Sequence, residues 1–104
     1  MIYNDGYILL FYDCPMVTKE DIRNYNRFRK KLVNLGYLML QNSVYYKYIR
    51  DLKRIEFEIN KIKTISISDS NVIALKITNK QFLNINIIYG LFNLIDRSEN
   101  YLEY

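Results

Sequence analysis

The spacing of apolar positions changes repeatedly along this chain, and each change marks an element. Tyr7 to Tyr12 (YILLFY) is an unbroken apolar run, the pattern of a strand covered on both faces and therefore central in its sheet. Pro15 closes it, because proline cannot donate to a ladder. From Thr18, a good N-cap, with Glu20 and Asp21 in the first turn, the period becomes helical. Ile22, Tyr25, the stem of Arg29, Leu32 and Leu35 recur at spacings of three and four and form the expected buried stripe. Gly36 is the expected residue just past the helix end. Arg23, Arg27, Lys30 and Lys31 share the opposite face.

From Tyr37 to Tyr46 the period is two. Leu38, Leu40 and Val44 point one way, and Tyr37, Met39, Gln41, Ser43 and Tyr45 the other. Asn42-Ser43 marks a bend that divides the stretch into two strands. A second helix is expected from about Arg50 to Lys63, burying Leu52, Ile55, Ile59 and Ile62. The Ser-rich connection from Thr64 to Asn71 holds Ile65 and Ile67, material for a short edge strand. Strands are expected at Val72–Ile77 and Ile85–Tyr89, with a single turn at Lys80–Phe82 between them. Tyr101–Tyr104 is a candidate terminal strand in the tail, 91–104.

The order β-α-β-β-α-β predicts an α+β, ferredoxin-like domain: an antiparallel four-stranded sheet with both helices on one face, extended by an extra C-terminal strand. Residues 1–104 form one domain, with its core over about 7–90. A chain of 104 residues buries only about 65% of its unfolded surface, so a homodimer covering the second sheet face, with Tyr37, Met39 and Tyr45 on it, is the expected supplement.

Composition removes whole classes of chemistry. Without histidine there is no imidazole base, no Ser-His-Asp triad and no His-ligated zinc. One cysteine, Cys14, excludes an internal disulfide and fits a reducing cytoplasm. No signal peptide is expected from Met1–Gly6, and the longest apolar run is far short of the ~20 residues a membrane span needs. The Ile, Asn, Lys and Tyr bias matches AT-rich coding, so single residues of these types carry little weight. The net charge of +4 is uneven: Lys19 to Lys63 holds twelve Lys/Arg and five Asp/Glu, against three and six elsewhere. That basic middle suits a polyanion and equally suits a solvated surface.

Asp13 is the sharpest candidate. A carboxylate directly after a central strand is rigidly placed and suits a hard metal ion; an Asx turn closing the strand accounts for the same placement. Cys14 reads as structural, since a Cys-x5-Arg phosphatase loop would need arginine where Glu20 stands. Ser43 has no base beside it to activate it. Arg23, Arg27, Lys30 and Lys31 form a ladder of point charges that suits phosphates and equally suits a solvated helix face.

These residues resemble the Cas-two family of CRISPR spacer-adaptation proteins, in particular its type II members. The resemblance rests on Tyr12-Asp13-x-Pro15, Arg27-Phe28-Arg29-Lys30-x-Leu32, Gly36-Tyr37, Gln41-x-Ser43-Val44-Tyr45 and Thr78-Asn79-Lys80-Gln81-Phe82, in that order. It implies a cytoplasmic homodimer in which the two Asp13 carboxylates face each other and hold Mg²⁺, or Mn²⁺ in its place, for phosphodiester hydrolysis. Tyr12 and Ser43 are its implied supporting residues. The partners it implies are a CRISPR spacer integrase and duplex DNA, or RNA, with no membrane. The alternative on the same fold is a stand-alone, toxin-type endoribonuclease.

Overall fold

The computed structural model describes residues 4–90. Its elements are β1 (Gly6–Asp13), α1 (Lys19–Asn34), β2 (Leu38–Gln41), β3 (Val44–Ile49), a 3-10 turn (Leu52–Arg54), α2 (Ile55–Ile65), β4 (Asn71–Thr78) and the short α3 (Asn79–Leu83). The strands form one antiparallel sheet in the order β2-β3-β1-β4, the split βαβ arrangement. β1 is central, as its unbroken apolar run requires, pairing with β3 from Gly6 to Phe11 and with β4 from Gly6 to Asp13.

Alternation along β1 divides the interior in two. Ile8, Leu10 and Tyr12 join Phe28 and Leu32 of α1 and Ile62 of α2 beneath the helices. Tyr7 and Leu9 face the other way and are covered by Phe82 of α3, whose ring stacks on Tyr7 with centroids 3.9 Å apart. Helix α1 starts where expected: Thr18 and Asp21 exchange side chain and backbone bonds of 3.0 Å in a capping box, and Gly36 takes φ 97 just past the end.

Four expectations need correction. First, the buried line of α1 is Tyr25, Phe28, Leu32 and Leu35; Phe28 replaces Ile22 and Arg29, both exposed, because the helix lies on the sheet along that line. Second, the two faces of the β2–β3 stretch are exchanged. Tyr37 and Tyr45 are 0% and 1% exposed under the helices, and Met39 is level with Tyr45, while Leu40, Val44 and Tyr46 face the opposite side. Broad rings fill the space under two helices, so the phenols here are core residues. Third, Ile65 ends α2 and Ile67 lies in the loop, both packed on the core, so neither forms an edge strand. Fourth, Ile85–Tyr89 is irregular: α3 turns the chain over the sheet, Ile85 packs beside Phe82, and Ile88 and Tyr89 project outward. The proposed strand at Tyr101–Tyr104 lies outside the described residues. None of the described helices is long and apolar enough to cross a membrane.

Gly6 opens β1 where a side chain has no room: a Cβ there would stand 2.1 Å from the Ile77 carbonyl oxygen. Gly6→Ala is expected to cost about 1–3 kcal/mol of stability, read from urea unfolding midpoints. An unchanged midpoint would show that β4 yields freely at this end.

Candidate functional site

Three backbone features fix the end of β1. Asp13 is still in the ladder, paired with Asn71; the Tyr12 N–H donates to the Ser43 carbonyl at 3.1 Å; and Pro15 follows two residues on. The Asp13 carboxylate is exposed and makes no hydrogen bond or ion pair among the described residues, so the Asx turn does not form. Among the described residues no three acidic or thiol groups gather for a metal, so one chain supplies one free carboxylate here. Ser43 acts through its backbone. It sits at φ 67 in the two-residue turn between β2 and β3, and its carbonyl ties that turn to the base of Asp13.

Tyr12 points beneath the helices, its ring 5.9 Å from Tyr25, 5.2 Å from Phe28 and 5.7 Å from Tyr45. Its buried Oη lies among the Tyr25 and Tyr45 phenols without reaching hydrogen-bond geometry with a described partner. Burial first, and those phenols second, push its ionisation far above the ordinary tyrosine range, so it stays neutral. Tyr45 Oη accepts from Arg29 Nε at 3.0 Å, which holds the guanidinium firmly charged. Cys14 is half-buried; burial and then the Asp13 charge raise its thiol, consistent with a structural residue.

Arg23, Arg27, Lys30 and Lys31 stand exposed along α1 with no ion-pair partner among the described residues. Glu20, exposed in the first turn of α1, makes no ion pair among the described residues, and two other nearby acids are engaged elsewhere. Asp21 accepts backbone N–H bonds from Thr18 and Val17, which lower its pKa, and Glu58 pairs with Lys47 at 3.1 Å. The structure thus brings Tyr12, Asp13 and Ser43 together at one strand end, and leaves the four cations as a separate strip on the helix. Arg29 with Tyr25 and Tyr45 is the grouping that sequence reasoning missed. An arginine in an otherwise apolar helical stripe was its available signal.

Comparison with known proteins bears on this geometry directly. A family profile described as "CRISPR associated protein Cas2" matches residues 6–85. The chain belongs to the Cas2 family. It is 32% identical over 83 residues to the CRISPR-associated endoribonuclease Cas2 of Ligilactobacillus salivarius, spanning 80% of this chain and 82% of that one. The Cas2 endoribonuclease of Treponema denticola is 34% identical over the same shares, and that of Campylobacter jejuni 37% over 83 residues, 58% of its own length. A solved structure titled "Crystal structure of cas2" has the same fold, with a TM-score of 0.55 at 22% identity over 83% of this chain and 88% of that one. As a Cas2 protein this is a CRISPR-associated chain, and Asp13, its supporting turn and the α1 cations all fall inside the matched region.

The Cys14 thiol reports on the field at Asp13. Its folded pKa is raised, so at any pH near neutrality less thiolate is present than in an ordinary thiol. Asp13→Asn removes the second cause and leaves the first. In metal-free buffer the pH–rate profile for iodoacetamide alkylation is expected to move to lower pH in this variant, yet remain above that of a model thiol. An unmoved profile would place the Asp13 charge away from Cys14.

Proposed function

We propose that this Cas2 chain acts as a homodimer that grips nucleic acid for a CRISPR spacer integrase, with a divalent-metal centre for phosphodiester hydrolysis made from Asp13 of each copy. The observation that carries this reading is the bare Asp13 carboxylate on a backbone fixed by its pairing with Asn71. One carboxylate is too few for Mg²⁺, which takes oxygen ligands in an octahedron; a two-fold axis doubles it and leaves the remaining positions to water. The donor set fits: a hard carboxylate oxygen, with the neighbouring thiol held protonated. A metal bound there supplies Lewis-acid polarisation of the phosphate and a hydroxide at neutral pH, chemistry this histidine-free chain otherwise lacks. The chain's own part is to hold Asp13 at fixed geometry through the Ser43 turn and to grip the phosphate backbone with Arg23, Arg27, Lys30 and Lys31.

Dimerisation is supported by the sheet face away from the helices. Ile73 and Leu75, opposite Phe11 and Leu9 in register, are 66% and 51% exposed. Neighbouring exposed apolar side chains of this kind suit burial against a second copy. Its relatives' names make RNA as well as duplex DNA a substrate to test.

Sedimentation at micromolar concentration is expected to give about 25 kDa, twice the chain mass of 12.6 kDa; the monomer mass would remove the two-carboxylate centre. With Mg²⁺ or Mn²⁺, cleavage of single-stranded RNA or duplex DNA is expected to fall at least about a hundredfold in folded, dimeric Asp13→Asn, and to vanish with EDTA. Cleavage at the wild-type rate would assign the chemistry elsewhere. Binding separates from cleavage. Arg27→Gln with Lys31→Gln should flatten the slope of log K against log salt for duplex DNA by about 0.9 per lost phosphate contact, similarly for unrelated sequences. Asp13→Asn should leave that slope intact. A slope unchanged in the double variant, with and without the integrase, would move the grip off α1.

A further inference from the structure

Arg29 differs from the other cations of α1. Arg23, Arg27, Lys30 and Lys31 are exposed and make no hydrogen bond among the described residues, whereas Arg29 donates its Nε–H to Tyr45 Oη at 3.0 Å. Tyr45 is 1% exposed and sits in β3 opposite Leu10, so the anchor is part of the core. A guanidinium carries five N–H donors in one rigid plane. Tying Nε to a fixed phenol restrains that plane and leaves the two Nη groups, with four N–H donors, unbonded in an exposed side chain. No acceptor for them lies among the described residues, and no carboxylate pairs with them. An exposed side chain normally loses rotamer freedom when it binds; this one is already ordered.

One further donor group lies beside it. Tyr25 is half-buried and its Oη donates to Asn42 Oδ1 at 3.4 Å, which leaves the Asn42 amide N–H pair at the rim of the β2–β3 turn. The Arg29 Nη groups and the Asn42 amide are donors without an anion among them, which fits an oxyanion, and planar Arg–phosphate pairing is the strong form of that contact.

We propose that Arg29, anchored by Tyr45 and flanked by Tyr25 and Asn42, is a fixed site for one phosphate group of a nucleic-acid strand crossing α1 and the β2–β3 turn. The inference rests on the nucleic-acid reading above and adds to it: the four free cations supply diffuse charge, and Arg29 supplies a register point. Because the plane and not the charge makes the site, lysine cannot replace it.

The test compares Arg29→Lys, Arg29→Gln and Tyr45→Phe, each first shown to melt as a folded protein, in two measurements. In the first, inorganic phosphate is exchanged for chloride at constant ionic strength while the Arg29 Nε–Hε resonance is followed by NMR. The second measures duplex DNA affinity. The wild-type resonance is expected to shift saturably with phosphate, and the shift to be lost in Tyr45→Phe. Duplex affinity is expected to fall about tenfold in Arg29→Lys as in Arg29→Gln, and by less in Tyr45→Phe, where the charge remains. Duplex affinity in Arg29→Lys equal to wild type overturns the site while leaving the α1 grip standing. No phosphate response, with duplex affinity unchanged in all three variants, overturns it outright. A saturable phosphate response in a wild type that fails to bind duplex at low salt supports the oxyanion site and overturns the nucleic-acid reading instead.

Discussion

The double pairing of β1 is the constraint from which the rest of this Cas2 chain follows. With β3 on one side from Gly6 to Phe11 and β4 on the other from Gly6 to Asp13, β1 is enclosed by neighbours, and its side chains must fill both faces of the sheet. Ile8, Leu10 and Tyr12 therefore specify where α1 and α2 settle, while Tyr7 and Leu9 specify where α3 must fold back. Pairing with β4 continues through Asp13, the last residue of the strand, one residue past the Tyr12 N–H bond to the Ser43 carbonyl. A carboxylate that ends such a strand has its backbone placed by the core without the core's low dielectric. It is exposed and without a partner among the described residues, which is the condition a metal ligand needs.

Charge is distributed by a similar economy of position. Acidic side chains are drawn into structural tasks: Asp21 closes the N-terminal cap of α1, Asp51 caps the 3-10 turn through the Lys53 N–H, and Glu58 ties α2 to Lys47 of β3 above the Tyr37 ring. Phe57 of α2 lies between Arg54 and Lys61, whose charges are 5.4 and 4.3 Å from its ring centroid. What stays unassigned is the set of cations on the outer side of α1. The strip stays positive because its four cations outnumber Glu20, the acid of α1 that makes no hydrogen bond or ion pair among the described residues.

Much of this was legible without coordinates, for identifiable reasons. β1 announced itself by an apolar run too continuous for a one-sided strand, and α1 by Thr18 and Gly36 at its two ends. Asp13 followed from β1. The parts that were not legible depend on volume and direction. Period two at Tyr37–Tyr46 establishes that two faces exist without saying which faces the helices, and the polar tips of Tyr37 and Tyr45 pointed to the wrong one. Likewise Arg29 falls within reach of the apolar stripe by spacing alone; that Phe28 takes the core position, and that Arg29 reaches a buried phenol, depends on how α1 is rotated over the sheet. Asn42-Ser43 was legible as a bend, but the Ser43 carbonyl as the brace of Tyr12 required the turn to be placed beside β1.

The second sheet face joins these strands of argument. Thr78 ends β4 and begins α3 with a capping box of its own, so the chain reverses over the sheet at once and sets Phe82 against Tyr7 and Tyr46. A helix of five residues covers only the end of the sheet where β1 begins. Along β4 the consequence is graded: Ile77, opposite Tyr7, is half-buried; Leu75, opposite Leu9, is 51% exposed; Ile73, opposite Phe11, is 66% exposed. Apolar exposure therefore rises toward the end that carries Asp13. In the dimer we propose, the hydrophobic effect favours burying that half of the face, since α3 already occupies the other. Covering it brings each copy's bare carboxylate toward its twin, and two adjacent carboxylates repel unless a cation lies between them. In the proposed dimer, the short helix that leaves half of the sheet uncovered among the described residues is thus the feature that would favour a shared metal centre.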